Sequence, residues 1–245
     1  MLDLITDPNK NLQSEIEKRY KFSHYEVCGK LPNRLKNILL NDNLHNINVD
    51  EKTRKTLLKK FRLKEDDVFL EVGTYYGFGT VKLSQNVKKV IGIEADKYNF
   101  WMTKRNVEKN CDNVILINKA VGKEKGKQKF YSREKEIGQG KSFFKESLKN
   151  KIKNSYEVEV DTIDNILNDL NLIRDITFVS LEINLAEIDA LLGMSKTLEN
   201  KMRLLIAGWY DYKGRPASFT IKEILNKHGF SVYIGVKNRV YAIKE

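Results

Sequence analysis

The sequence predicts an α/β fold: a Rossmann-like, seven-stranded, mostly parallel sheet with a carboxyl-terminal antiparallel hairpin, preceded by a helical amino-terminal extension. Three observations predict it. Short apolar strands alternate with amphipathic helices from Asp67 onward, an order that makes successive strands parallel because each returns through a helix. The strand VFLEV runs into a loop with glycines at 73, 77 and 79, where glycine permits tight turning and close approach of a ligand to backbone. The last two strands, FSVYIGV and RVYAIKE, flank the short Lys237-Asn238 turn, which suits a hairpin.

Residues 1–64 read as the extension. NLQSEIEKRYKFSHYEV forms one helix, GKLPNRLKNILLNDNLHNIN a turn-rich connection around Pro32, and VDEKTRKTLLKKF a second helix, with Asp50 near its start and Leu57, Leu58 and Phe61 facing a core. The main domain, residues 65–245, begins with VFLEV. A helix starts near Gly79 and runs through Val81, Leu83 and Val87; strand VIGIE, helix KYNFWMTKRNVEKN and strand NVILINKAV follow. The alternation then breaks. KQKFYS and SYEVEV are short β-like pieces on either side of EKEIGQGKSFFKESLKNKI, an inserted loop with a short helix. It resumes with helix DTIDNILNDL, strand ITFVSLEI, helix EIDALLGMSKTLE, strand MRLLIAGW and helix SFTIKEILNKHG, then the closing hairpin.

With 245 residues, 41% of them apolar, the chain can bury a sizeable core. Its 44 Lys and Arg against 33 Asp and Glu give a net charge of +11, which favours acidic partners. The excess concentrates in the insert near 123–156: Lys119 to Lys153 holds twelve basic residues and four acidic ones. Cys28 and Cys111 lie far apart, so neither a disulfide framework nor a cysteine metal site is expected. His24, His45 and His228 lack metal-ligand spacing. No stretch approaches the run of about 18 apolar residues that a membrane span needs. A soluble cytoplasmic protein in a reducing compartment, with no metal and no membrane partner, is the expectation.

Glu71 ends the first strand and Glu94 ends the second, twenty-three residues later. That is about the spacing at which an acid reaches the ribose of a cofactor bound over the first strand. The glycine intervals of four and two residues are not GxGxxG, the pattern that brings backbone against a pyrophosphate. Glu71 also sets an anion beside the loop. Both features favour a cofactor without phosphate, and S-adenosylmethionine fits: Glu94 accepts from the ribose diol, Glu71 organises the loop or the ammonium group, and Asp96 is a further acid nearby.

The stretches FLEVGTYYGFGT, VIGIEADKYNFWMTKRNVEKN, NVILINKAVGKEKGKQKF, VEVDTIDNIL and FVSLEINLAEIDALLG, in that order, resemble the FkbM-like group of class I S-adenosylmethionine-dependent methyltransferases over roughly Asp67 to Gly193. The resemblance implies a cofactor site of Glu71, Gly73, Tyr75, Gly77, Glu94, Ala95, Asn118 and Ala120. Glu71 stands where aspartate is usual, Gly73 lies in the methionine-binding turn, and Asn118 to Val121 lie near the adenine. It also places Glu182 at the acidic position ending the fourth strand. Two departures follow it: Asn184 replaces an acid and Leu185 replaces a glycine.

Methyl transfer needs an acceptor lone pair in line with the sulfur–methyl bond, so positioning and desolvation do much of the work. A hydroxyl acceptor also needs a base, for which Glu182 and Asp211 are the candidates. The segment GWYDYKGRP supplies Trp209, Tyr210, Tyr212 and Arg215 to stack on a planar acceptor or neutralise a phosphate. The expected function is O-methylation of a small hydroxylated or sugar-containing acceptor. The basic insert keeps a structured RNA, tRNA or rRNA, as an alternative acceptor. A noncatalytic S-adenosylmethionine-binding protein is the other alternative, given Asn184 and Leu185.

Overall fold

The computed structural model describes residues 47, 49–132, 141–142, 152 and 154–245. The helix and connection expected before Asn46, and most of the insert between 133 and 153, lie outside the described residues. All described residues belong to one unit, Pro32–Glu245.

The first helix, α1, spans Glu51–Lys60. Asp50 caps it by accepting from the Thr53 N–H at 2.9 Å, with Glu51 in the first turn and Lys59 and Lys60 in the last, which matches the helix dipole. The main sheet follows: β1 (Val68–Val72), α2 (Phe78–Ser84), β2 (Lys89–Ile93), α3 (Lys97–Asn110) and β3 (Val114–Ile117). After an accessory sheet come α4 (Ile163–Asp169), β8 (Phe178–Leu181), α5 (Glu187–Leu192) and β9 (Met202–Ile206). A small hairpin, β10 (Asp211–Tyr212) with β11 (Arg215–Pro216), leads to α6 (Ala217–Lys227), β12 (Ser231–Ile234) and β13 (Val240–Lys244).

These strands form a seven-stranded sheet in the order β12-β13-β9-β8-β1-β2-β3. Only β13 runs antiparallel to its neighbours, β12 and β9. The central strands β1 and β8 are buried along their whole length, as a sheet covered on both faces requires. On one face, side chains such as Leu70, Ile91, Val179 and Leu204 pack with Ile163, Leu167, Ile188 and Ile221 from α4, α5 and α6. On the other, Phe61 beyond α1 meets Phe178 and Tyr241 edge-on, with centroids 6.1 and 5.6 Å apart. The expected turn at Lys237 and Asn238 has both residues at φ 56°.

Two expected elements divide. NVILINKAV is β3 and then β4 (Ala120–Val121), which leaves the main sheet to pair with β7 (Asn154–Asp161). The break falls at Asn118, whose Nδ2 donates to the Glu94 carbonyl at 2.8 Å and turns the chain out of the sheet. KQKFYS and SYEVEV pair as β5 (Gly126–Ser132) and β7, an antiparallel ladder of seven pairs, with β6 (Lys141–Ser142) on the β5 edge. A four-stranded accessory sheet, β4-β7-β5-β6, therefore flanks the insert that reads as a loop. EIDALLGMSKTLE likewise stops at Gly193 and resumes as a 3-10 turn, Thr197–Glu199. A Cβ on Gly193 would lie 2.1 Å from the Gly122 carbonyl oxygen, so the two backbones cross at a contact that no other residue permits.

At the amino edge of the sheet Asp67 and Arg203 are a buried ion pair. Asp67 also accepts from the Thr177 hydroxyl at 2.8 Å and the Lys64 N–H at 2.7 Å, while Arg203 donates to the Lys60 carbonyl at 3.1 Å and stacks 4.4 Å from the Phe178 ring. This network ties the end of α1 to β1, β8 and β9. Arg203→Ala is expected to lower stability by about 3–5 kcal/mol, because it leaves the Asp67 carboxylate buried without its cation. An unchanged urea midpoint would show that the pair contributes nothing.

Candidate functional site

In a parallel sheet the carboxyl ends of the strands form one edge, where ligands bind because the loops there are free to diverge. Here β1 ends in the turn Gly73-Thr74-Tyr75-Tyr76-Gly77. Gly73 has φ +89°, and a Cβ there would stand 2.6 Å from the Glu182 carbonyl oxygen, so glycine is required on both conformational and steric grounds. Gly77 caps α2 at φ +76°, and a Cβ there would stand 2.7 Å from Thr103 on α3. Tyr75 is also left-handed, at φ 58°. Its conformation is held by neighbours: its N–H donates to Glu94 Oε2 at 2.8 Å and its carbonyl accepts from the Thr103 hydroxyl at 2.8 Å. Asn106 Nδ2 donates to the Tyr76 carbonyl at 2.6 Å, and the Tyr75 and Tyr76 rings stack at 3.7 Å.

Glu94, just past β2, is buried. One carboxylate oxygen accepts from Tyr75 and the other from the Asp96 N–H at 3.0 Å. Glu71 is buried within β1 and accepts from the Thr80 hydroxyl at 2.6 Å, near the start of α2. Asp96 caps α3 through the Asn99 N–H at 2.8 Å and accepts from the Tyr156 hydroxyl of β7. That bond joins the accessory sheet to the loop beyond β2, and burial followed by the Asp96 charge pushes the Tyr156 phenol far up. Asn118 is exposed, Ala95 is half-buried and Ala120 is buried at the start of β4; all three lie on the β2–β3 side of the edge.

On the other side, Glu182 follows β8, and its Oε2 stands 3.8 Å from Arg239 Nη2. Arg239 is buried just before β13 and lies over the Trp209 ring at 5.1 Å. Trp209 is brought there by Gly208, at which a Cβ would lie 2.5 Å from the Asn238 carbonyl oxygen. Tyr210 donates its hydroxyl to Asn184 Oδ1 at 2.6 Å. Glu182, Asn184, Trp209, Tyr210 and Arg239 thus form one cluster beside the glycine turn. Asp211, Tyr212 and Arg215 sit in the β10–β11 hairpin beyond it. Exposed Asp211 accepts from the Gly214 N–H at 3.1 Å, Tyr212 is half-buried with Lys213 over its ring at 5.3 Å, and Arg215 pairs with Glu223 of α6 at 3.0 Å.

Two residues outside the expected set belong here. Arg239 carries no local signal, because its neighbours come from β8 and from the turn after β9. Glu187 stood in the quoted run, and what reveals it is the backbone between: Asn184 and Leu185 are left-handed at φ 56° and 83°. The tight turn brings the Ile183 N–H within 2.8 Å of Glu187 Oε1 in a buried setting. Leu185 therefore adopts the conformation for which the resembled pattern uses glycine, at a cost of about 1–2 kcal/mol, while its side chain joins the core. Among the described residues no His, Cys, Asp or Glu cluster is arranged to hold a metal.

A profile of the Methyltransferase FkbM domain matches residues 67–232. Among solved structures the chain is similar to Methyltransferase FkbM from Methylobacillus flagellatus KT, with a TM-score of 0.50 and 14% identity, over 86% of this chain and 57% of that one. This likeness concerns the fold. Two curated relatives are each named Ribosomal RNA small subunit methyltransferase A. The protein from Caldanaerobacter subterraneus is 35% identical over 72 residues, 29% of this chain and 26% of its own length. The one from Lachnoclostridium phytofermentans is 26% identical over 115 residues, 47% of this chain and 34% of its own. The chain thus spans about a quarter to a third of the length of these relatives.

Burial pushes the Glu187 carboxyl up from 4.5 to about 7, against the backbone N–H groups that favour its charged form. The folded chain therefore holds a proton that the unfolded chain releases across that interval. Its stabilising effect is complete below the unfolded value and is lost as pH rises through about 7, on the order of 3 kcal/mol. Glu187→Gln removes the titration, so urea unfolding should show the variant gaining on the parent between about pH 5 and 8. Parallel pH profiles would clear Glu187 of this role.

Proposed function

The chain belongs to the Methyltransferase FkbM domain family, and from that premise we propose that it transfers a methyl group from S-adenosylmethionine to an oxygen of a small hydroxylated or sugar-containing acceptor. The observation that carries the donor assignment is Glu94. It is a buried carboxylate at the carboxyl edge, oriented by the Tyr75 and Asp96 N–H groups, at the end of the second strand, where an acid reaches the ribose diol of a cofactor bound over the first. Gly73 and Glu71 shape the turn for the amino-acid end, and Ala95, Asn118 and Ala120 lie on the side assigned to the adenine. No phosphate-binding arrangement is needed.

When bound, S-adenosylmethionine supplies an electrophilic methyl: the acceptor oxygen forms the new carbon–oxygen bond as the sulfur–methyl bond breaks, its electron pair staying on sulfur. Glu182 takes the proton from the acceptor hydroxyl. Its backbone packs against Gly73, so the base stands beside the donor loop. Trp209 and Tyr210 supply a platform for the acceptor, with Tyr212, Arg215 and Asp211 at its outer rim.

A second reading, methylation of tRNA or rRNA, is favoured by the exposed Lys123, Lys125 and Lys129 on and beside β5 and by the names of the curated relatives. Methyl-labelled cofactor incubated with separated metabolite, RNA and protein fractions discriminates the two. Label should enter the metabolite fraction; entry into RNA, with binding that falls steeply as salt rises, would replace the first reading by the second. Cofactor binding without any transfer would leave a noncatalytic binder. Glu94→Ala should weaken S-adenosylmethionine binding by roughly 1–3 kcal/mol, from the lost charge-assisted bonds to the diol. Equal calorimetric affinities for the folded variant and the parent would remove Glu94 from the site.

A further inference from the structure

The geometry points to an acceptor that carries an oxyanion, carboxylate or phosphate, a few bonds from the hydroxyl to be methylated, with Arg239 as the residue that binds it. This rests on the donor and acceptor reading given above. Arg239 is 7% exposed. Among the described residues its guanidinium makes no hydrogen bond: the nearest carboxylate oxygen, on Glu182, is 3.8 Å away, and its other contact is the Trp209 face at 5.1 Å. A guanidinium has five N–H donors, and no Arg239 nitrogen is among the fully buried polar atoms without a partner, so the small exposed part of this side chain includes donors open to solvent. Trp209 holds the flat group in place by stacking. A ligand whose paired oxygens match the planar fork, carboxylate or phosphate, suits donors fixed in this way.

Position supplies the second half of the argument. Val240, the first residue of β13, pairs with Ile206, the last of β9, so Arg239 stands at the same edge as Glu182. The Glu182 backbone touches Gly73 of the donor turn. An acceptor hydroxyl addressed by Glu182 is therefore next to the methyl donor, and a group held by Arg239 belongs to the same small molecule. The Arg239–Glu182 separation exceeds a hydrogen bond, which leaves the fork directed at ligand while the two charges still attract. A hydroxy acid or a hydroxyl-bearing phosphate meets both requirements, and a neutral polyol meets one.

The test uses the full chain saturated with S-adenosylhomocysteine and ligand-detected NMR titrations of D-glycerate, glycerol 3-phosphate and glycerol. At least one of the two anions should bind saturably and more tightly than glycerol; which one does so separates carboxylate from phosphate. Arg239→Met should weaken that binding ~10- to 100-fold and leave S-adenosylhomocysteine affinity unaltered by calorimetry. Arg239→Lys should fall between the two, since it keeps the charge without the fork, and it serves alone if the methionine variant fails to fold. Anions that bind no better than glycerol, or that bind the substituted chains as well as the parent, overturn the proposal. So does binding of a tRNA-length RNA that needs Arg239 while neither small anion binds. Failure of the parent to bind S-adenosylhomocysteine is a separate result that overturns the donor reading; the anion titrations are then run on the chain alone and still decide the role of Arg239.

Discussion

The contact between Gly73 and the carbonyl of Glu182 is the constraint on which the carboxyl edge depends. Strands β1 and β8 are parallel neighbours, and ordinary side chains at their ends would hold the following loops apart. With no Cβ at 73, the two backbones close to a distance that an alanine would violate. The turn after β1 then meets Glu94 through the Tyr75 N–H on one flank, and the turn after β8 sets Glu182 on the other. One missing methyl group thus sets how closely the loops after β1 and β8 approach each other.

That closeness gathers carboxyl groups that would otherwise repel one another. Each is held by a different device. Glu71 takes a threonine hydroxyl, Glu94 two backbone N–H groups, Asp96 a helix-capping N–H and a tyrosine, and Glu182 the proximity of a cation. Glu187 is the exception, since burial keeps its charge in check. The acids at this edge differ in chemical character because their donors differ, and the donors come from the loops that Gly73 allows to converge.

Local chemistry explains what could be read in the chain. Asp50 marks a helix start because a side-chain cap is a contact over three residues; Asp96, read only as an acid near the cofactor, caps α3 in the same way. Glu71, Gly73 and Glu94 were legible because strand ends and glycine turns carry their own signatures. What escaped depends on distant partners. The break between β3 and β4 needs Asn118 to find the Glu94 carbonyl and Ala120 to find Val160. Arg239 acquires meaning only when β9 and β13 bring Trp209 beneath it, and Glu187 only when two left-handed residues fold the chain back over it. The strain at Leu185 was half visible: a leucine in place of glycine could be seen, but not that the backbone would keep the glycine conformation.

The ladder between β5 and β7 separates two kinds of change. Its seven pairs fix where the chain leaves at Ser132 and returns at Asn154, a gap of about 5 Å between neighbouring strands. The register of the main sheet is set elsewhere, through β1, β2, β8 and β9. Changes between those two points therefore leave the register of the main sheet in place. The accessory sheet works as a graft union: an evolving or engineered lineage can replace what it carries while the rootstock, the strand edge with its acids, keeps its shape.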